Sequence, residues 1–116
     1  MKDIIDRDKE VQVAQVEDFQ FNGKTYKEIH LSLGHINYDK AGNKRSDYGA
    51  EEVVELFVNA IDGIYLEEDG QKDNCSYFVF FSSEPKTMKK YKIIFYTEEN
   101  KIFVRIITLF RTGEKL

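Results

Sequence analysis

The sequence predicts an α+β fold: a single domain in which one main amphipathic helix packs on an antiparallel sheet made of an N-terminal hairpin and a C-terminal meander. Three observations lead to this prediction: an Asn-Gly turn between apolar runs, a helical apolar stripe in the middle of the chain, and strand-like apolar runs in its last third. A length of 116 residues suits one domain with one core. We assign residues 1–10 to a flexible N-terminus and residues 11–116 to the α+β domain.

Apolar runs separated by turn residues predict the strands. Asn22-Gly23 is a strong hairpin signal, so strands are expected over 13–21 and 25–32. "SYFVFF" is apolar on both sides, which is typical of a central strand. The C-terminal strands are expected over 64–67, 76–81, 90–97 and 101–110, the last two joined by the turn Glu98-Glu99-Asn100.

The main helix is predicted within "GAEEVVELFVNAID", where apolar residues recur at the spacing of a helix that packs on a sheet. Its apolar stripe consists of Val53, Val54, Phe57 and Ile61. Ser46 or Asp47 is expected to cap the helix at its N-terminus. Gly63 stands where a left-handed residue would end it.

The composition, 41% hydrophobic and 14% aromatic, indicates a globular protein. The longest apolar run is too short to cross a bilayer, and the N-terminus has no apolar signal core, so we expect no membrane partner. The lone Cys75 fits a reducing compartment, and a cytoplasmic location is expected. No motif surrounds Cys75, which favours a small strand residue over a nucleophile.

The charge is unevenly distributed, although the net charge is −4. Residues 86–116 hold eight Lys and Arg against three acids, whereas the first 85 residues hold nine against eighteen. A local phosphate-binding face would need such an asymmetry, because the field near a site matters more than the total charge. Lysines that protect strand edges would produce the same pattern.

Strict alternation on the last strand predicts two faces. One face, assigned to the helix side, holds Ile102, Val104, Ile106, Thr108 and Phe110; the other holds Phe103, Arg105, Ile107, Leu109 and Arg111. Arg105 among apolar neighbours needs a reason, because an unpaired buried charge is costly. Two reasons are open: Arg105 pairs with an acid, or its planar fork binds phosphate in a shallow cleft.

The segment "HINYDKAGNKRSDYG" before the helix concentrates polar and basic residues. His35 ends an apolar strand in this interpretation, and histidine is suited to acid–base chemistry near neutral pH. Lys44 and Arg45, close to the helix N-terminus, could attract an anion. A solvated loop with a strand-end histidine explains the same residues. The sequence shows no cluster with metal-ligand spacing and no phosphate-cradling glycine loop, so no cofactor is expected.

The order of these features resembles the RelE/barnase-like superfamily of small ribonuclease toxins, which includes colicin-type and phage-borne nuclease domains. The resemblance covers roughly residues 30–111 and consists of a histidine-containing segment, "KRSDYG", the amphipathic helix, and a four-stranded meander ending in "VRIITLFR". It implies metal-independent RNA cleavage, in which the 2′-hydroxyl of the RNA attacks the neighbouring phosphorus. It also implies RNA and a cognate antitoxin as partners in a bacterial or phage setting.

The resemblance also implies site residues. His35 would act as general base or acid, and Tyr91 as a second proton carrier or a base-stacking platform. Lys44, Arg45, Arg105 and Arg111 would contact the phosphate. Charge stabilisation of this kind commonly supplies several kcal/mol of barrier reduction per contact.

A non-catalytic acidic binding module is the alternative function, as an immunity protein, an antitoxin or a phage accessory protein. Glu67-Glu68-Asp69 together with Asp73 could mimic a nucleic-acid backbone toward a basic toxin partner. A purely structural role is a third alternative, and the two-sided apolar run "SYFVFF" could also form a homodimer interface.

Overall fold

A computed structural model of the chain describes residues 11–39, 41–44, 46–83 and 89–112. The predicted N-terminus, residues 1–10, lies outside the described residues. The elements are β1 (Gln12–Phe21), β2 (Lys24–Leu31), α1 (Leu33–Asn37), α2 (Ala50–Ile61), β3 (Gly70–Lys72), β4 (Cys75–Ser83), β5 (Lys90–Glu98) and β6 (Phe103–Arg111). The α+β class, the N-terminal hairpin, the main helix and the C-terminal meander are confirmed.

The six strands form one sheet in the order β1-β2-β6-β5-β4-β3. All neighbours pair antiparallel except β2 and β6, which run parallel and join the N-terminal hairpin to the meander. The sheet is therefore mixed rather than wholly antiparallel. β4, which contains "SYFVFF", lies inside the sheet but one place from its edge, and β6 and β5 occupy the middle.

The core lies between α2 and one face of the sheet, here called the core face. Val53, Phe57 and Ile61 of α2 are fully buried, whereas Val54 is half-buried. The Phe57 ring makes edge contacts with Phe19 (6.2 Å) and Phe95 (5.1 Å). Each fully buried side chain of this size contributes roughly 1.5–3 kcal/mol of transfer free energy, so the predicted stripe holds the helix on the sheet.

The opposite face, here called the open face, carries side chains that alternate with those of the core face. On β4, β5 and β6 most of its side chains are half-buried, and Phe81 is 61% exposed. The buried residues of α1 and α2 belong to the core cluster, so both helices pack on the core face. The sheet therefore presents an aromatic-rich surface on the side away from the helices.

A β-bulge on β6 overturns part of the predicted face assignment. Ile94 pairs with Thr108, but Phe95 pairs with Ile106, so Ile107 is an extra residue. Beyond this residue, each side chain of β6 therefore points to the face opposite to the one that strict alternation predicts. The core face receives Val104, Ile106, Leu109 and Arg111, and the open face receives Phe103, Arg105, Thr108 and Phe110. The prediction that Arg105 and Arg111 share a face is therefore wrong.

Three local predictions are also wrong. Residues 33–37 form a short helix rather than a strand end, because the Ser32 side chain caps them by accepting a hydrogen bond from the His35 N–H (3.4 Å). Residues 64–67 contain one isolated bridge, between Phe21 and Ile64, and no regular strand.

The third concerns the start of α2. Gly49, rather than Ser46 or Asp47, precedes the helix, and its N–H donates to the Glu52 carboxylate (3.5 Å). Ser46 instead donates to the Asn37 side chain (2.9 Å). At the other end Gly63 has φ +86°, so its predicted left-handed conformation is confirmed.

Candidate functional site

Strand register brings four chemically capable side chains into one row on the open face. His30 on β2 is the register partner of Arg105 on β6. Arg105 is also the partner of Tyr96 on β5, and Tyr96 is the partner of Tyr77 on β4. Neighbouring strands lie about 4.8 Å apart. His30 and Tyr96 therefore flank Arg105 on strands about 10 Å apart. We call His30, Arg105, Tyr96 and Tyr77 the open-face row.

His30 is held by a carboxylate and an aromatic ring. Its Nε2 lies 3.1 Å from Glu28 Oε1, and its ring stacks on Phe103 at 4.0 Å between centroids with a 7° interplanar angle. Gln15 Nε2 donates to the other oxygen of Glu28 (3.1 Å). A carboxylate only accepts, so Nε2 of His30 carries the proton of this hydrogen bond. Among the described residues none hydrogen-bonds to Nδ1, which is left as the acceptor nitrogen.

The hydrogen bonds also keep Glu28 ionised. The bond from His30, and after it the bond from Gln15, lowers the pKa of the Glu28 carboxyl. An ionised Glu28 accepts the Nε2–H hydrogen bond and so fixes the tautomer and orientation of the His30 ring. The pair therefore has the arrangement of a histidine base oriented by a carboxylate.

Arg105 is partly buried but lacks hydrogen-bond and ion-pair partners among the described residues. Its Nε is buried and has no hydrogen-bond partner, and within the described part of the chain the guanidinium forms no ion pair. Such an orphaned donor typically costs about 1–3 kcal/mol. Of the two roles left open by the sequence, pairing with an acid is not seen among these residues. The other role, phosphate binding, stays a prediction.

Tyr96 and Tyr77 form the aromatic side of the row, with ring centroids 5.3 Å apart and an interplanar angle of 49°. Burial raises the pKa of Tyr96, and the positive charge of Arg105 works in the opposite direction. The hydroxyl therefore stays protonated at neutral pH and can donate a proton or a hydrogen bond.

Tyr91 and Arg111, by contrast, lie together on the core face. They are register partners, and Tyr91 is only 7% exposed. The Tyr48 ring lies 6.5 Å from the Tyr91 ring, and burial, followed by the neighbouring Tyr91, raises the pKa of Tyr48 to about 12. The structure thus separates Tyr91 and Arg111 from Arg105 by the thickness of the sheet.

The remaining predicted site residues lie in α1 and the following loop. His35 is exposed on α1, and Lys44 is exposed in the loop, where it pairs with Asp47 Oδ1 (3.3 Å). Arg45 lies outside the described residues. Asp39 organises the turn by accepting hydrogen bonds from the N–H groups of Ala41 (3.0 Å) and Asn43 (2.9 Å). The described part of the segment is a hydrogen-bonded loop.

Sequence reasoning missed Glu28, His30 and Tyr96. Glu28 and His30 are two apart on a strand, as are Phe103 and Arg105, so each pair shares a face. That spacing was visible in the sequence. Only the parallel β2–β6 pairing, which connects residues 75 positions apart, sets the two pairs side by side.

A cavity of about 630 Å³ lies where three hairpin turns approach one another. Its floor includes Phe21, Tyr26 and Phe78, and its rim carries Lys24 and Glu98 among other charges of both signs. It is formed by residues outside the open-face row.

No described helix is long and apolar enough to span a membrane, and the described residues contain no group of three or more His, Cys, Asp or Glu side chains able to hold a metal ion. Comparison of the chain with protein-family models, curated proteins and solved structures found no match.

Proposed function

We propose that this protein is a metal-independent, toxin-like ribonuclease whose open-face row binds a phosphodiester and cleaves RNA by attack of the 2′-hydroxyl. One observation carries the proposal: His30, Arg105 and Tyr96 stand side by side on three neighbouring strands. This order supports the proposal, because an in-line displacement at phosphorus needs a base on one side and an acid on the other.

Each residue then has a defined task. His30 Nδ1 accepts the proton of the 2′-hydroxyl as its oxygen attacks phosphorus, while Glu28 stabilises the imidazolium. The Tyr96 hydroxyl gives its proton to the departing 5′-oxygen as the P–O5′ bond breaks. The products are a 2′,3′-cyclic phosphate and a 5′-hydroxyl, and proton exchange with water restores both side chains.

Arg105 stabilises the negative charge that builds up on the non-bridging oxygens. The planar terminal fork of the guanidinium can donate to two phosphate oxygens at once, whereas Nε is buried and has no partner in the free protein. Stabilisation of this kind is strongest where water is excluded, and the partial burial of Arg105 among half-buried neighbours supplies such a setting.

The test is cleavage of a 5′-labelled single-stranded RNA in the presence of EDTA. Wild type is expected to leave 2′,3′-cyclic phosphate ends, and an RNA with 2′-O-methyl groups at every position is expected to resist. His30→Gln should lower the rate by roughly 10²–10⁴-fold, and Arg105→Gln by roughly 10²–10³-fold. Folded wild type that leaves RNA intact would refute the proposal.

The chain offers a matched comparison for both substitutions. His35→Gln and Arg111→Gln remove the same side-chain types from α1 and from the core face. If these two variants lose cleavage while His30→Gln retains it, the active site is the one implied by the family resemblance and the open-face assignment is wrong; Arg105 belongs to both sites and does not distinguish them.

A second function, binding of a basic partner, is favoured by a separate observation. Six carboxylates on α2 and the segment after it are exposed, and within the described residues none of them forms an ion pair. They are Glu51, Glu52, Glu55, Glu67, Glu68 and Asp69. Exposed carboxylates without ion-pair partners suit a non-catalytic immunity or antitoxin role toward a basic nuclease.

Affinity capture from lysate separates the two functions. A basic nuclease that is retained by wild type and by His30→Gln, but released when Glu67, Glu68 and Asp69 are all changed to Lys, supports the binding role. If the chain instead retains an acidic protein that inhibits its RNA cleavage, the ribonuclease role is supported.

A further inference from the structure

The two edges of the sheet differ in how well they are protected from pairing. β3, at one edge, has three residues and ends in Lys72. β1, at the other, has ten residues, and its outer backbone groups face away from β2. An unpaired strand of this length is a template for pairing with another chain unless charge, proline or a bulge interrupts it.

The first half of β1 has none of these interruptions. Residues 11–16 read "VQVAQV", without a charge or a proline. The irregularity in the β1–β2 register comes later, between Gln15 and Phe19, and the first charges of the strand, Glu17 and Asp18, lie within it. Val11 and Val13 are 37% and 53% exposed, respectively.

We infer that β1 pairs antiparallel with β1 of a second copy of this chain, through residues 11–15 and about a twofold axis at Val13. A twofold axis at Val13 sets this residue opposite its own copy, so a charge at the axis would meet its own kind. The segment around the axis is uncharged and avoids this repulsion. The exposed valines of the two copies would cover one another.

This pairing makes one continuous sheet of twelve strands, with both open faces on the same side. Val13 is the register partner of His30, so an axis near Val13 brings the two His30 side chains to within about three strand spacings, roughly 14 Å. The dimer itself does not depend on the proposed function.

The test is the mass in solution, measured by light scattering on a sizing column over a range of loading concentrations. Wild type is expected to approach twice the 13.6 kDa chain mass as concentration rises. Val13→Lys, which places two like charges across the axis, should give the monomer mass at every concentration. Val13→Ile should preserve the dimer, and Gln71→Lys on the β3 edge should leave it unchanged.

A second measurement locates the contact. In a Cys75→Ser background, Val13→Cys should cross-link between copies with a short bismaleimide, whereas Gln71→Cys should not. A monomeric wild type at all concentrations overturns the inference. So does a dimer that survives Val13→Lys but is lost in Phe81→Lys, because that result places the interface on the open face.

Discussion

Arg105 is a residue whose placement costs the folded protein free energy. Its Nε is buried without a hydrogen-bond partner, and no described carboxylate neutralises its charge. A side chain in this state costs free energy in the folded protein unless a ligand satisfies it. The proposed phosphate-binding role would account for a residue that carries this cost.

Arg105→Met is accordingly expected to keep or raise the free energy of unfolding, by up to about 2 kcal/mol, since the orphaned donor disappears while the aliphatic packing remains. RNA cleavage should be lost in the same variant. Urea unfolding followed by fluorescence measures the first effect. Destabilisation by more than about 1 kcal/mol would show that Arg105 has a structural role.

Tyr48 contributes to the loss of folding stability at alkaline pH. Its pKa rises from the ordinary value of 10.0 to about 12 in the folded protein. Above pH 10 the unfolded chain releases this proton before the folded chain does, so stability falls between about pH 10 and pH 12. Tyr48→Phe should therefore lose less stability than wild type over that interval, measured by urea unfolding at each pH. An equal decline in both proteins would contradict the assignment.

At the scale of elements, the loop between α1 and α2 is closed by Asn37. This 7% exposed side chain donates to the Tyr48 carbonyl (3.0 Å) and accepts from the Tyr48 N–H (2.8 Å) and the Ser46 hydroxyl (2.9 Å). Asn37→Ala should cost about 2–4 kcal/mol, because several buried polar groups lose their partner. Asn37→Asp, which keeps the acceptor, should cost less. If urea unfolding shows that Asn37→Ala lowers the free energy of unfolding by less than about 1 kcal/mol, this role is contradicted.

The bulge on β6 makes a second element-scale prediction. Leu109 follows the bulge and is fully buried on the core face, whereas Ile107, the extra residue, is half-buried. Leu109→Ala should lower the free energy of unfolding by about 2–5 kcal/mol. Ile107→Ala should lower it by clearly less. Chemical denaturation of the two variants side by side makes the measurement. Equal losses would indicate that the strand alternates without interruption.

For the whole molecule, the net charge of −4 limits how RNA can be held. The open-face row offers one cation, Arg105, with Lys92 two rows away on β5. Each neutralised phosphate contributes about −0.7 to the slope of log affinity against log salt for a single strand. Fluorescence anisotropy with labelled RNA should therefore give a slope between about −0.7 and −2. A slope steeper than about −4 would require a wider basic surface, and a flat response would exclude phosphate contact.

The sequence by itself determined the class of fold, because periodicity is a local property. The Asn22-Gly23 turn, the stripe of α2 and the apolar runs of β4, β5 and β6 each need only neighbouring residues to define them. The same locality predicted the left-handed Gly63.

Tertiary structure decided everything that depends on register. The parallel pairing of β2 with β6 placed His30 beside Arg105, and one extra residue at Ile107 sent Arg105 and Arg111 to opposite faces. Neither could be derived from strand patterns, because pairing between distant segments is selected by the packing of the whole core. Five of the six strands could thus be located from the sequence, whereas the candidate site depends on how the strands are aligned.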